Sequence, residues 1–331
     1  MTGTPTVSVI VLNYNGAHLL PECLDSLVAQ EYPIRELLVI DNASVDGSRD
    51  VVRRYPRVQW VGLPVNGGLG PGYNAGARAA HGDALFFLNN VTSCAPDCLR
   101  QLVPALQADV LAADPLQFEW TGERVIHGAQ RFRWGWRYLM APVPCLAPYQ
   151  EMTVTTPTDV PWACAGALLC DREKFEALGG FDPTFFLDYE DLDLCWRGWL
   201  RGWRTIFVPS ARLRHRVGES ADQILRARNP SVRLHRPAGI NARRQMSQYQ
   251  NAQRFVCKTM PWPLVGIALL GGLLKAVGGL LCGRAQASWL WGVATARNLR
   301  AWPEILRRRR AILQGAATTS ILLARRWGAS A

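Results

Sequence analysis

The densest group of side chains able to do chemistry lies in FFLDYEDLDLCWRGW, where Asp188, Glu190, Asp191 and Asp193 occupy six consecutive positions at an expected helix start. One acid in a first helical turn caps free amides and suits the helix dipole, so Asp188 alone reads as structural. Four acids exceed what a cap requires. Crowded carboxylates are costly unless a cation, a basic partner or a raised pKa relieves them, which is the setting of a general base. A second set of polar groups is spread along the chain: Asn13, Tyr14 and Asn15, then Asp41, Asn42 and Ser44, then Asn66, then Asn89 and Asn90, each following an apolar run. Any one of these could simply cap a helix or make a turn. Four alike point to a shared ligand edge. His215, beside Gly218 and Ser220, completes the candidates.

The elements that must carry these groups alternate. VSVIVLNYN (7–15) reads as a buried parallel strand, and 19–30 has helical spacing at Leu20, Cys23, Leu24, Leu27 and Val28. An apolar strand at 36–40, a short helix start in SVDGSRDVVRRY, a strand in VQWVGLP, a helix in YNAGARAA and a strand in ALFFLNN follow. This rhythm predicts a doubly wound α/β sheet, in which ligands sit at the carboxyl ends of the strands. NGGLGPGYNAG (66–76), with Gly67 and Asn74, is a glycine-rich loop able to bring backbone amides close to a phosphate or sugar. It is no dinucleotide fingerprint, because Gly68, Gly70 and Gly72 have the wrong spacing and follow the third strand. No GKS or GKT supports a P-loop. Residues 109–160, rich in Trp, Arg and Pro, read as an irregular excursion shaping a pocket. A small-residue strand at 163–170, a helix at 171–178 and a strand leading to His215 close the unit.

Lys and Arg total 37 against 26 Asp and Glu, a formal charge of +11 concentrated in the second half of the 331 residues. Such a field suits nucleic acid, an anionic membrane or phosphorylated substrates. Nucleic acid is disfavoured, because the arginines lack interleaved aromatic platforms and no helix-turn-helix or zinc pattern occurs. Nine scattered cysteines without CxxC pairs argue against a disulfide framework or zinc module and for a reducing compartment. The N-terminus lacks the basic and apolar regions of a secretory signal, so the first domain is expected in the cytoplasm.

Taken in order, VSVIVLNYNG, LLVIDNASVDGS, NGGLGPGYNAG, FFLNN, GALLCDREKFEALGGFDPTFFLDYEDLDLCWR and HRVGES resemble the family 2 glycosyltransferases, especially their rhamnosyltransferase-like branch, over about residues 7–220. The resemblance implies a GT-A nucleotide-diphospho-sugar transferase fold in a domain spanning 1–225. It implies that Asn13, Tyr14, Asp41, Asn42 and Asn66 hold the nucleotide, with Asn15, Ser44, Gly67 and Asn74 in the same binding set and Asn89 and Asn90 near ribose and diphosphate. Asp191, paired with Glu190, would take a proton from the acceptor hydroxyl as it displaces the nucleoside diphosphate with inversion. A deoxythymidine diphosphate rhamnose donor and a lipid-linked, cell-wall or other polysaccharide acceptor follow from the branch.

The sequence departs from that family at one position. Relatives usually carry an acid, as Asn-Asn-Asp or Asp-x-Asp, where this chain has Asn89, Asn90 and Val91, and that acid binds the Mg2+ or Mn2+ that neutralises the leaving diphosphate. Valine coordinates nothing. Three arrangements stay open: a metal held by His215, Asp193 and the diphosphate; a leaving group neutralised by Arg197 or Arg216; or an impaired homologue that binds nucleotide sugar without turning it over.

Residues 226–331 form a basic, helical C-terminal region. PWPLVGIALLGGLLKAVGGLLCG (261–283) would be ~34 Å long as a helix, enough to cross a bilayer, yet Lys275 and its glycines and prolines weigh against a simple span. A membrane-seated amphipathic or re-entrant helix pair is expected on the cytoplasmic face, with Trp262, Trp289 and Trp291 near the interface and Arg307 to Arg310 on anionic head groups. The other reading is a soluble helical layer packed on the catalytic domain.

Overall fold

The computed structural model describes residues 4–129, 154–216, 239–283 and 285–327. Its centre is a mixed sheet built from β1 (Val7–Asn13), β2 (Ile34–Asp41), β3 (Val58–Gly62), β4 (Ala84–Asn89), β5 (Thr92–Cys94), β6 (Val110–Phe118), β9 (Ala167–Asp171) and β10 (Arg204–His215), in the order β3-β2-β1-β4-β9-β6-β10-β5. Two short strands, β7 (Val125–His127) and β8 (Thr158–Asp159), pair with β6 and β10. The first four strands run parallel, β9 is antiparallel to both its neighbours, and β10 is parallel to β6.

Alternation along the β-branched strands explains why the sheet is covered on both faces. Ile10, Leu12, Leu38 and Ile40 meet Tyr73 and Ala77 of α3 (Leu69–Ala79), while Val9, Val11 and Val39 meet Leu20, Leu24 and Leu27 of α1 (Leu20–Val28). Each fully buried side chain of this kind contributes about 1.5–3 kcal/mol. Helices α2 (Ser48–Val52), α4 (Cys98–Leu102), α5 (Arg172–Ala177) and α6 (Glu190–Leu200) complete the α/β unit.

Residues 110–118 correct the expectation of an irregular 109–160. They form the central strand β6 because the ionisable Asp114 within VLAADPLQF is matched across the β6–β7 pair by His127, whose Nε2 lies 2.7 Å from Asp114 Oδ2. Most of the Trp-, Arg- and Pro-rich excursion lies outside the described residues, as do Gly218 and Ser220.

The C-terminal region is helical: α7 (Gly239–Thr259), α8 (Trp262–Leu281), α9 (Ala285–Arg300), α10 (Trp302–Gln314) and α11 (Ser320–Trp327). Phe255 and Val256 of α7, Met260 just after it, and Val265 and Ala268 of α8 share one buried cluster with Leu192 and Trp196 of α6. The opposite face of α8 exposes Leu270, Leu274, Val277 and Leu281, and among the described residues this helix alone is long and apolar enough to cross a membrane. Trp262 and Trp289 are exposed, but Trp291 is not available to an interface: it stacks on Tyr249 with ring centroids 4.2 Å apart, beneath Lys275. Arg309 is likewise turned inward, onto the carbonyls of Cys257 and Met260, which leaves Arg307 and Arg310 as the outward members of that run.

Candidate active site

The carboxyl ends of β1, β2, β3 and β4 lie side by side, with Asn13 opposite Asp41, Asp41 opposite Gly62 and Leu12 opposite Asn89. The polar residues at these ends bond mainly to one another. Asn13 Nδ2 donates to Asp41 Oδ1 at 2.8 Å and to Ser44 Oγ at 3.2 Å, and Asn13 Oδ1 accepts from Asn90 Nδ2 at 2.6 Å. Ser44 Oγ donates to Asp41 Oδ1 at 2.5 Å and accepts from the Asn15 amide at 2.8 Å, while Asn15 Oδ1 accepts from Val45 N. Asn13 is therefore the hub of a rigid edge. Tyr14 stands at its rim, 51% exposed.

The glycine loop docks beside this edge. Asn66 Oδ1 accepts from Gly68 N at 3.0 Å, and Asn42 Nδ2 donates to the Gly68 carbonyl at 3.1 Å, leaving Asn42 Oδ1 buried without a partner among the described residues. An orphan buried acceptor is costly unless a ligand satisfies it. Gly67 precedes the turn. Gly68 has φ +91°, and a Cβ there would come within 2.1 Å of the Phe186 carbonyl oxygen, so only glycine fits. Asn74 corrects its expected binding role: its amide donates to the Phe181 carbonyl at 2.7 Å and accepts from the Phe181 amide at 2.9 Å, so it ties two loops together.

Asp191 is joined to the strand edge by a short relay. Tyr73, fully buried, donates to Asn89 Oδ1 at 2.8 Å and lies 2.9 Å from the Ala165 carbonyl, and the Ala165 amide donates to Asp191 Oδ2 at 3.1 Å. Asp191 Oδ1 accepts from Leu192 N at 2.7 Å. Burial raises the Asp191 pKa, the two backbone amides oppose the rise, and Asp188 adds to it. Glu190 is more deeply buried and has one oxygen without a partner among the described residues; desolvation, then repulsion from Asp191, hold it well above the usual carboxylate range. The two acids thus differ in degree, Glu190 standing well above and Asp191 above the ordinary carboxylate value. They follow two consecutive left-handed residues, Asp188 (φ 68°) and Tyr189 (φ 77°), a strained turn of the kind that neighbouring structure must hold in place.

The residues proposed for a metal do not assemble into a site. His215 faces Thr92 across the β5–β10 pair, one residue from Val91. Its Nδ1 lies 2.7 Å from Gln117 Oε1, and burial, aided by His127, pushes its pKa down to about 4. A neutral imidazole oriented this way suits a ligand. Asp193 does not: with no exposure, it bonds Arg197 Nε at 2.8 Å and Lys258 Nζ at 2.6 Å. Arg197 is also committed, donating to the Leu178 and Gly180 carbonyls, and Arg216 pairs with Glu22 at 3.0 Å while lying over Trp120. Among the described residues no three His, Cys, Asp or Glu side chains converge. One imidazole without a carboxylate does not by itself fit a divalent ion that prefers oxygen ligands.

The sequence reading missed Tyr73, Gln117, Ser247, Asn251 and Lys258. Tyr73 sits inside YNAG and could have been read as a buried hydroxyl needing partners; the other four show themselves only through contacts distant in the chain.

Residues 8–179, a little over half of the chain, match the family model described as Glycosyl transferase family 2. An N-acetylglucosaminyl-diphospho-decaprenol L-rhamnosyltransferase of Mycobacterium tuberculosis is 28% identical over 242 residues, 66% of this chain and 78% of that protein. A polypeptide N-acetylgalactosaminyltransferase 11 of Xenopus tropicalis is 26% identical over 64% of this chain and 38% of its own length. Among solved structures, GalNAc-T7 with UDP, GalNAc and Mn2+ superposes with a TM-score of 0.60 at 17% identity, covering 84% of this chain and 51% of that one. The mannosyltransferase PcManGT of Pyrobaculum calidifontis, with GDP-Man and Mn2+, gives 0.53 at 20% identity over 98% and 88%. Both likenesses are of fold, the GT-A arrangement of sheet and helices.

Proposed function

The chain belongs to glycosyl transferase family 2, and from that premise we propose that it is an inverting transferase moving rhamnose from a deoxythymidine diphosphate donor to a lipid-linked acceptor of a surface glycan. The observation that carries the reading is the seat of Asp191. A partly buried carboxylate is held by two backbone amides and tied through Ala165 and Tyr73 to the polar strand edge, so proton acceptor and donor site share one framework. Asp191 removes the acceptor proton, the freed oxygen attacks the anomeric carbon from the face opposite the diphosphate, and the sugar–phosphate bond breaks to leave the nucleoside diphosphate. Asn42 Oδ1, Tyr14 and the Gly67–Gly68 backbone would meet the nucleotide, with Asn89 and Asn90 nearer the diphosphate. The Mycobacterium tuberculosis relative supports rhamnose as the sugar and a polyprenyl diphosphate as the carrier.

A thermal-shift screen over nucleotide sugars tests the donor, because a ligand of the folded state raises its apparent stability. The largest shift is expected with dTDP-rhamnose, followed by transfer to N-acetylglucosaminyl-diphospho-decaprenol. A larger shift with another donor removes rhamnose from the proposal. Binding with neither transfer nor hydrolysis, with or without Mg2+ or Mn2+, replaces transfer by a binding role.

The acceptor also explains the C-terminal layer. The exposed apolar face of α8, with Trp262 and Trp289 beside it and Arg297, Arg300, Arg307 and Arg310 facing outward, matches a helix lying at the cytoplasmic membrane surface. The full chain is expected to float with phosphatidylglycerol vesicles. Sedimentation free of lipid at low salt would make this layer a soluble one.

A further inference from the structure

Helix α7 touches the α/β unit at one place above all, the strained turn that delivers the two acids. Asn251 Nδ2 donates to the Leu187 carbonyl at 3.0 Å and to the Asp188 carbonyl at 2.8 Å, and Ser247 Oγ donates to the Leu187 carbonyl at 2.7 Å. One turn further on, Arg254 Nη1 donates to the Thr184 carbonyl at 3.0 Å. Lys258, 1% exposed, closes the row by bridging Asp182, just before the turn, to Asp193 in the first turn of α6. These side chains recur at spacings of three or four, so a single helix face grips residues 182–193 from end to end.

That grip is selective. Consecutive left-handed residues at Asp188 and Tyr189 cost energy that the turn cannot recover from its own bonds. The peptide carbonyls leading into and between them are the groups Asn251 satisfies. We propose that Asn251, with Ser247, is a positioning residue for Asp191: it holds the left-handed turn from the C-terminal layer, so that the rate of proton removal depends on a helix outside the α/β unit. The proposal rests on the reading of Asp191 as the proton acceptor. It also makes the helices behind the exposed α8 face part of the active-site scaffold, since Arg254 Nε bonds Asn298 of α9 at 3.1 Å and Gln253 bonds Thr295 at 2.9 Å.

The test uses the full chain and three variants. In Asn251→Ala the turn relaxes, and kcat for dTDP-rhamnose is expected to fall about 10- to 100-fold, the cost of an ångström-scale misplacement, while KM for the donor holds. Asn251→Asp has the same shape but presents acceptors to two carbonyl oxygens, so it should be as impaired as the alanine variant. Ser247→Ala keeps the Asn251 bonds and should lose less. A second readout needs no substrate: the carboxyl titration of Asp191, followed by carbon NMR, should move toward the ordinary carboxylate value in Asn251→Ala as the group leaves its buried seat. If Asn251→Ala keeps both its kcat and the wild-type titration of Asp191, the inference is wrong. If Asp191→Asn itself retains activity, it is the proton-acceptor reading that falls, and the titration still reports whether Asn251 holds the turn. Should Asn251→Ala not fold, Ser247→Ala decides by the same two readouts, an unchanged kcat and titration overturning the proposal.

Discussion

Asp191→Asn is expected to lower kcat about 10²- to 10⁴-fold, the usual contribution of a positioned general base, with donor KM little changed. The amide keeps the size of the carboxylate but only one of its two oxygens, so it can accept from Ala165 N or from Leu192 N and turns its NH2 toward the other. Glu190→Gln is the matched control. Burial and its neighbour both raise its pKa and disfavour the charged form, so an amide there should cost less than tenfold. The sign of the pH dependence follows from the same pair. A base must be ionised to act, and Asp191 titrates above the usual aspartate range, so turnover should rise with pH through a limb displaced upward from ordinary carboxylates. Steady-state rates of the three proteins across pH 4–8 check all of this. Equal losses in both variants would mean that the acid turn, and no single carboxylate, is what the reaction needs.

Val91→Asp is expected to raise kcat in Mn2+ by about tenfold to a thousandfold, in line with several kcal/mol of charge stabilisation at a leaving diphosphate, and to leave the rate in EDTA unchanged. Val91 lies just ahead of β5: its carbonyl accepts from Arg216 N at 3.1 Å, and the next residue, Thr92, pairs with His215. Activity measured against metal concentration in both proteins provides the check. No gain would show that the metal is not what the wild-type chain lacks at this position.

What could be read from the sequence was the part written in local pattern. Apolar β-branched runs ending in amides gave the strand edge, because such runs are buried on both faces and must stop where polar groups begin, and four acids in six positions marked the acid turn before α6. Hydrogen-bond allegiance was not legible. Asn13 and Asn74 carry the same side chain as Asn42, yet Asn13 spends its amide on Asp41, Ser44 and Asn90, and Asn74 spends its own on Phe181. Asp193 looked like a spare ligand because its partner Lys258 lies 65 positions away. Strand β6 was missed because a buried aspartate interrupts its apolar run, and the histidine that excuses it belongs to another strand.

The Phe186 carbonyl has a wider consequence. It accepts the Leu69 amide at 2.9 Å, and it is the atom that forbids any side chain at Gly68. The glycine loop proposed for the nucleotide and the segment leading to the two acids therefore close on the same peptide group. Whatever free energy links those two regions is reciprocal by thermodynamic necessity: to the degree that an occupied loop firms the approach to Asp191, a firm approach tightens the hold on the nucleotide.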